Sequence, residues 1–226
     1  MATERAIPEV SEFVREQMAR WRERAEARDI APALSHQVVT INMAPGSGGS
    51  QIGRLIAERL GFDFFHHDII KAIAKNAKMS FTVVDSLEKE RLTGFEDFFS
   101  LLVRRHYLHP GSYQNHLVQV IGSIARHGHA VIIGRGGNFI LPNEERFSVR
   151  VIATLETRIR NVARHFNTTR EEAETRVVRR ESRRAAFVRQ TFHCDIADPL
   201  YYDMVINTDQ ISLEAAATAV LSAMGR

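Results

Sequence analysis

Residues 41–61, "INMAPGSGGSQIGRLIAERLG", decide the fold. With the residues just before them they form "QVVTINM" at 37–43, a β-branched run suited to a buried strand. The following "SQIGRLIAERLG" sets Ile52, Leu55, Ile56 and Leu60 on one helix face and closes at Gly61. Between strand and helix lie Gly46, Gly48 and Gly49. Such a turn lets successive backbone N–H groups face phosphate oxygens, with the positive end of the helix behind them. Laid on the pattern G-x-x-x-x-G-K-[ST], residues 43–50 supply the second glycine as Gly48 and the hydroxyl as Ser50. Met43 stands where the first glycine belongs and Gly49 where the lysine belongs. A phosphate loop built this way needs its positive charge from elsewhere.

The rest of the chain repeats the strand-then-helix alternation. "FDFFHHDIIKAIAKNA" from residue 62 predicts a short strand and a helix, and residues 80–127 predict helices. Phe95, Phe98, Phe99, Leu102 and Val103 make one apolar stripe there, expected to be core. "HAVIIGRGGNFIL", "FSVRVIAT" and "YDMVINT" each contain a strand, and "SLEAAATAVLSAM" is a closing helix capped by Ser212. Between Leu155 and Arg184 the pattern predicts one or two arginine-rich helices, with Thr168 and Glu171 spaced as a capping box. Strands separated by helices imply a parallel sheet covered on both faces, with ligands at the carboxyl ends of the strands.

A chain of 226 residues, 44% hydrophobic and 25% charged, fits one globular α/β domain plus an arm. Residues 1–36 are that arm: Val10, Phe13, Val14, Gln17, Met18 and Trp21 share a helical face, expected to pack on the domain or to join a second copy as a homo-oligomer. No apolar run reaches the roughly 20 residues of a membrane span. "MATERAIPEVSEFVREQ" carries charges where a secretory signal has its apolar segment, so a cytoplasmic protein without a membrane partner is expected. Cys194 is the sole cysteine, which excludes an intrachain disulfide and points to packing. Histidines such as His66, His67, His127 and His129 lack the companion ligands of a zinc site.

The net charge of +3 does not argue for nucleic acid, and the arginines between Arg146 and Arg189 alternate with Glu171, Glu172, Glu174 and Glu181. No nucleic-acid partner is expected. The lysines are confined to Lys71, Lys75, Lys78 and Lys89, and arginine supplies every other cation. Arginine makes bidentate contacts to phosphate that lysine cannot.

The loop "PGSGG" with its following helix resembles that of the cytidylate kinase-like family, a branch of the P-loop nucleoside monophosphate kinases in which this lysine is commonly absent. "LGFDFFHHDIIKAIA", "AVIIGRGGNFIL", "ESRRAAFVRQ" and "DPLYYDMVINTDQISLEAA" are similar to that family's later segments, in its order. The resemblance implies a three-layer α/β/α P-loop kinase fold over 37–226, with a helical acceptor-binding insertion at about 76–128 and an arginine-rich lid at about 179–198. It implies ATP and Mg2+ as cofactors and phosphoryl transfer to a nucleoside monophosphate, CMP or dCMP first.

On the same footing, Gly46, Ser47, Gly48, Gly49, Ser50 and Gln51 would bind the ATP phosphates, with the Ser50 hydroxyl toward the metal. Arg135, after Gly134, matches the turn arginine that holds the acceptor phosphate, although Gly136 replaces the aspartate of better-known cytidylate kinases. Arg184 and Arg189 fall in the lid and would supply the missing charge, with Arg180 and Arg183 as lesser neighbours. Glu181, one turn before Arg184, would orient its guanidinium. Asp68 matches an acidic acceptor-side position, His66 stands where an aspartate is common, and Asp198 shapes the lid hinge. The alternative function is a nucleotide-binding sensor or regulatory module that kept the fold without the chemistry.

Overall fold

Parallel pairing builds the domain from its centre outward. The computed structural model describes residues 6–27, 37–89 and 112–225. Strands β1 (Val38–Met43), β2 (Asp63–Phe65), β3 (Ala130–Ile133), β4 (Phe147–Ile152) and β5 (Met204–Asn207) form one sheet in the order β2-β3-β1-β4-β5. All pairs are parallel, and β1 is flanked on both sides, with Ile41 facing Ile133 and Val149. Each crossover therefore carries a helix, as parallel connection requires.

Strand periodicity sends alternate side chains to opposite faces. Val39, Ile41, Val131, Ile133, Val149 and Val151 pack with Ile52 and Ile56 of α2 (Gly49–Leu60) and with Ala216 and Val220 of the closing helix Leu213–Ala223. On the other face, Val38, Ala130 and Ile132 meet α3 (His67–Lys75), through Ile70 and Ile73, and α5 (Tyr113–His127), through Leu117 and Ile121. The helix α4 (Ala77–Lys89) packs beside α3 and α5. The result is the expected α/β/α three-layer arrangement. The Phe95 to Val103 stripe lies outside the described residues.

The arm is α1 (Ala6–Ala27), and its apolar stripe is spent within the same chain. Val10, Val14 and Trp21 are buried against the core, and Trp21 stacks on His127 at 3.8 Å with an 8° interplanar angle. Gln17 is in the stripe for a polar reason: its Nε2 donates to Asp63 Oδ2 at 2.5 Å. Arg24 grips the same carboxylate from Nη1 at 2.6 Å and Nη2 at 3.3 Å. Asp63 is 5% exposed at the start of an edge strand, so α1 is latched to the sheet by a buried carboxylate. No helix among the described residues is long and apolar enough to cross a membrane.

The arginine-rich segment differs from its expectation in two ways. A short α6 (Gly137–Ile140) precedes β4, and the segment itself forms the two helices α7 (Leu155–Phe166) and α8 (Arg170–Phe192), the last running past Arg184. The cap of α8 is Thr169, accepting from the Glu172 N–H at 3.2 Å, one residue later than Thr168 and Glu171. Thr168 is occupied in ending α7, where its N–H donates to the Ala163 carbonyl at 3.1 Å beside left-handed Asn167. Val188 and Phe192 are buried in the core, so the lid segment is docked on the domain.

Asp63→Ala strands Gln17 and frees Arg24, and is expected to lower unfolding free energy by about 2–3 kcal/mol. A reduced denaturant midpoint at unchanged slope is the measurement; an unchanged midpoint would mean the latch contributes nothing.

Candidate active site

The loop leaves β1 at the carboxyl edge of the sheet. The Ala44 N–H continues the ladder to the Val151 carbonyl at 2.9 Å, and a turn then brings the Ser47 N–H to the Ala44 carbonyl at 3.1 Å. Ser47 Oγ lies 2.8 Å from that carbonyl and 3.0 Å from Val151 O. Both Ser47 donors are therefore engaged inside the loop. The Gln51 N–H likewise donates to the Gly48 carbonyl at 3.0 Å, and its side chain is exposed. The N–H groups of Gly46, Gly48, Gly49 and Ser50 donate to no described residue. Three of them open α2, where intrahelical acceptors do not exist and the dipole is positive.

Neighbouring elements hold this loop from behind. Asn161 Nδ2 on α7 donates to the Gly46 carbonyl at 2.9 Å, and Thr208 Oγ1, after β5, donates to the Ser47 carbonyl at 2.9 Å. Gly46 has φ +86°, and a Cβ there would come within 2.5 Å of the Arg158 carbonyl oxygen. Among the described residues the Ser50 hydroxyl meets the Met43 thioether sulfur, a weak acceptor, at 3.5 Å.

Arginines surround the open side. Arg184 Nη1 donates to the Met43 carbonyl at 2.7 Å. Burial, with the charges of Arg180, Arg135 and Arg150 behind it, lowers the Arg184 guanidinium to about 10. Arg150, 9% exposed, bonds Asn42 Oδ1 and lies over the Tyr202 ring at 5.7 Å. Neither Arg150 nor Arg184 has a carboxylate within ion-pair distance among the described residues. Buried cations without counterions are costly, and an anionic ligand relieves that cost.

Glu181 offsets only a small part of that cost, acting on Arg184 through space. It pairs with Arg158, Oε1 to Nη1 at 3.2 Å, tying α8 to α7 and not orienting Arg184 as its spacing suggested. Arg189 is exposed five residues beyond Arg184 and has no hydrogen bond or ion pair from its side chain to a described residue. Arg150 and Arg158 were missed at the level of sequence. The one available signal for Arg150 was a lone arginine inside the apolar strand "FSVRVI".

Arg135 sits in a turn of three left-handed residues, Gly134 (φ 68°), Arg135 (φ 53°) and Gly136 (φ 73°). Its Nε donates to the His67 carbonyl at 3.0 Å, tying the turn after β3 to the start of α3. The glycine at 136 has a packing cause: a Cβ would lie 2.4 Å from the Phe192 ring. Asp68 is exposed in the first turn of α3, 3.6 Å from His66 Nδ1 and 3.5 Å from His67 Nε2. These three could offer ligand atoms within 4.8 Å of one another. Burial, then neighbouring His66, lowers His67 to about 4, and burial lowers His66. Arg54, Arg135 and Arg184 add to the effect on His66, and the same field opposes a bound cation.

A family model described as the cytidylate kinase-like family matches residues 38–210, from the first residue of β1 to just past β5. The chain belongs to the cytidylate kinase-like family. It is 23% identical over 190 residues to a cytidylate kinase of Sulfolobus acidocaldarius, covering 83% of this chain and 94% of the relative. A cytidylate kinase of Ignicoccus hospitalis is 25% identical over 184 residues, covering 81% and 96%. Among solved structures, an uncharacterized protein from Eubacterium ventriosum superposes with a TM-score of 0.67 at 16% identity, covering 83% of this chain and 97% of that one. That chain shares the fold, and α1 precedes the segment matched by the family model.

Two expected outcomes follow from the turn and the histidines. Gly136→Asp adds both left-handed strain and a collision with Phe192, and should cost about 2–4 kcal/mol of stability, read from the urea midpoint. His67 resists protonation down to about 4 when folded but takes a proton near 6.5 when unfolded. Its contribution is whole above 6.5 and is lost as pH falls toward 4. Wild type should lose about 1–2 kcal/mol more than His67→Asn across that window, after allowance for partial exposure. Parallel stability profiles would exclude this linkage.

Proposed function

We propose that the protein transfers a phosphoryl group from ATP, with Mg2+, to a nucleoside monophosphate, with CMP or dCMP the first acceptors. The observation that carries this is the juxtaposition of unspent N–H groups at the start of α2 with the cations of Arg135, Arg150 and Arg184, none of which has a carboxylate within ion-pair distance among the described residues. Family membership and the names of the relatives support the same reading.

The donor set fits a polyphosphate. Gly46, Gly48, Gly49 and Ser50 would hold phosphate oxygens through backbone N–H groups, and the Ser50 hydroxyl would be a metal ligand. When bound, the metal neutralises charge between phosphates, and the protein's task is alignment. Arg135 would orient the acceptor phosphate from the turn after β3, and Arg184 would stabilise charge at the loop. Phe192 and Val188, packing α8 onto the core, keep the arginine-bearing helix beside the loop.

A regulatory module that binds nucleotide without transfer is the second reading, favoured by Gly49 where the pattern has lysine. ADP formation from ATP and Mg2+ separates the two, measured with CMP, dCMP, UMP, AMP, GMP or no acceptor and with products identified by mass. Acceptor-dependent turnover on the order of 1–100 s⁻¹ with a pyrimidine monophosphate is expected. ATP binding without turnover on any acceptor would replace the kinase by the regulatory module.

A further inference from the structure

The two departures of the loop from the lysine-bearing pattern are in contact with each other. A Cβ on Gly49 would lie 2.6 Å from Met43 Cβ and 3.0 Å from Met43 Sδ. The near atom belongs to the root of the methionine side chain, which cannot swing away. The end of β1 and the first residue of α2 therefore have room for one side chain between them. The pattern G-x-x-x-x-G-K gives that room to the lysine and leaves the first position bare. Here Met43 takes it and position 49 is bare.

We infer that Met43 and Gly49 are a compensated exchange of bulk, and that Arg184 takes the lysine's place as a resident cation of the loop, delivered from α8. The guanidinium is anchored on the carbonyl of the very residue that blocks position 49, 141 positions away in sequence. Glu181, its nearest acid in the chain, makes its ion pair with Arg158 and acts on Arg184 only through space. With one N–H given to Met43, the remaining guanidinium donors are left for phosphate. The anchor is the loop's own backbone, so Arg184 belongs to the phosphate-binding site itself. Its loss therefore weakens ATP binding itself and not turnover alone. This inference rests on the proposed binding of ATP at the loop.

The test has two arms. In thermal unfolding, Gly49→Lys should lower Tm by about 5 °C or more through the collision, and Met43→Gly added to it should recover most of the loss. Failure of Met43→Gly to recover stability would overturn the exchange. In calorimetric titration with ATP and Mg2+ and no acceptor, Arg184→Gln, which keeps a donor without charge, and Arg184→Ala should each weaken affinity by about 10–100-fold. Adding Met43→Gly and Gly49→Lys to Arg184→Gln should bring affinity back to within about threefold of wild type, since a lysine then occupies its patterned place. Wild-type affinity in Arg184→Gln, or no recovery on restoring the lysine, would overturn the role of Arg184 while leaving the proposed function standing. If wild type binds no ATP, the proposed function falls with it, and the unfolding arm still decides the exchange.

Discussion

The end of β1 and the beginning of α2 pass within one side chain's width of each other, and the site is organised by that closeness. β1 is held rigidly in the middle of the sheet by β3 on one side and β4 on the other. The helix after it is held by Ile52 and Ile56 in the core. The turn between them cannot widen without disturbing both. Met43 occupies the available space, Gly49 must then be bare, and the charge a phosphate needs has to arrive from another element.

That element is α8, whose placement depends on packing far from the loop. Phe192 sits against Phe139 and over Gly136, and Val188 is buried with it. The same contact that forbids a side chain at 136 thus docks the helix that carries Arg184. Arg184, Arg150 and Arg135 repel one another, so the arrangement is held against electrostatic strain by apolar burial. Sites that concentrate uncompensated charge in this way are suited to binding the opposite charge.

Much of the fold was legible because it is local. The β-branched run at 38–43, the helical face of Ile52 and Ile56, the closing Gly61 and the Ser212 cap are patterns within a few residues, and the structure contains each of them. The arm's stripe was legible for the same reason, though Gln17 belonged to it through Asp63 and not through apolarity. The cap of α8 was displaced by one residue because Thr168 had first to finish α7. At the candidate site, the glycines and the helix-borne Arg184 were named from motifs, whereas the structure turns the N–H groups of Ser47 and Gln51 inward to close local turns.

The sequence by itself determined the alternation of strands and helices, the position of the glycine loop and the absence of its lysine, since periodicity and turn chemistry act over short stretches of chain. Only the tertiary structure decided which charges meet there. Arg150 reaches Asn42 across paired strands, Arg158 takes Glu181 from its neighbour in sequence, and Arg184 finds Met43 from 141 residues away. Those choices follow from how strands register and helices dock, and spacing along the chain carries no record of them.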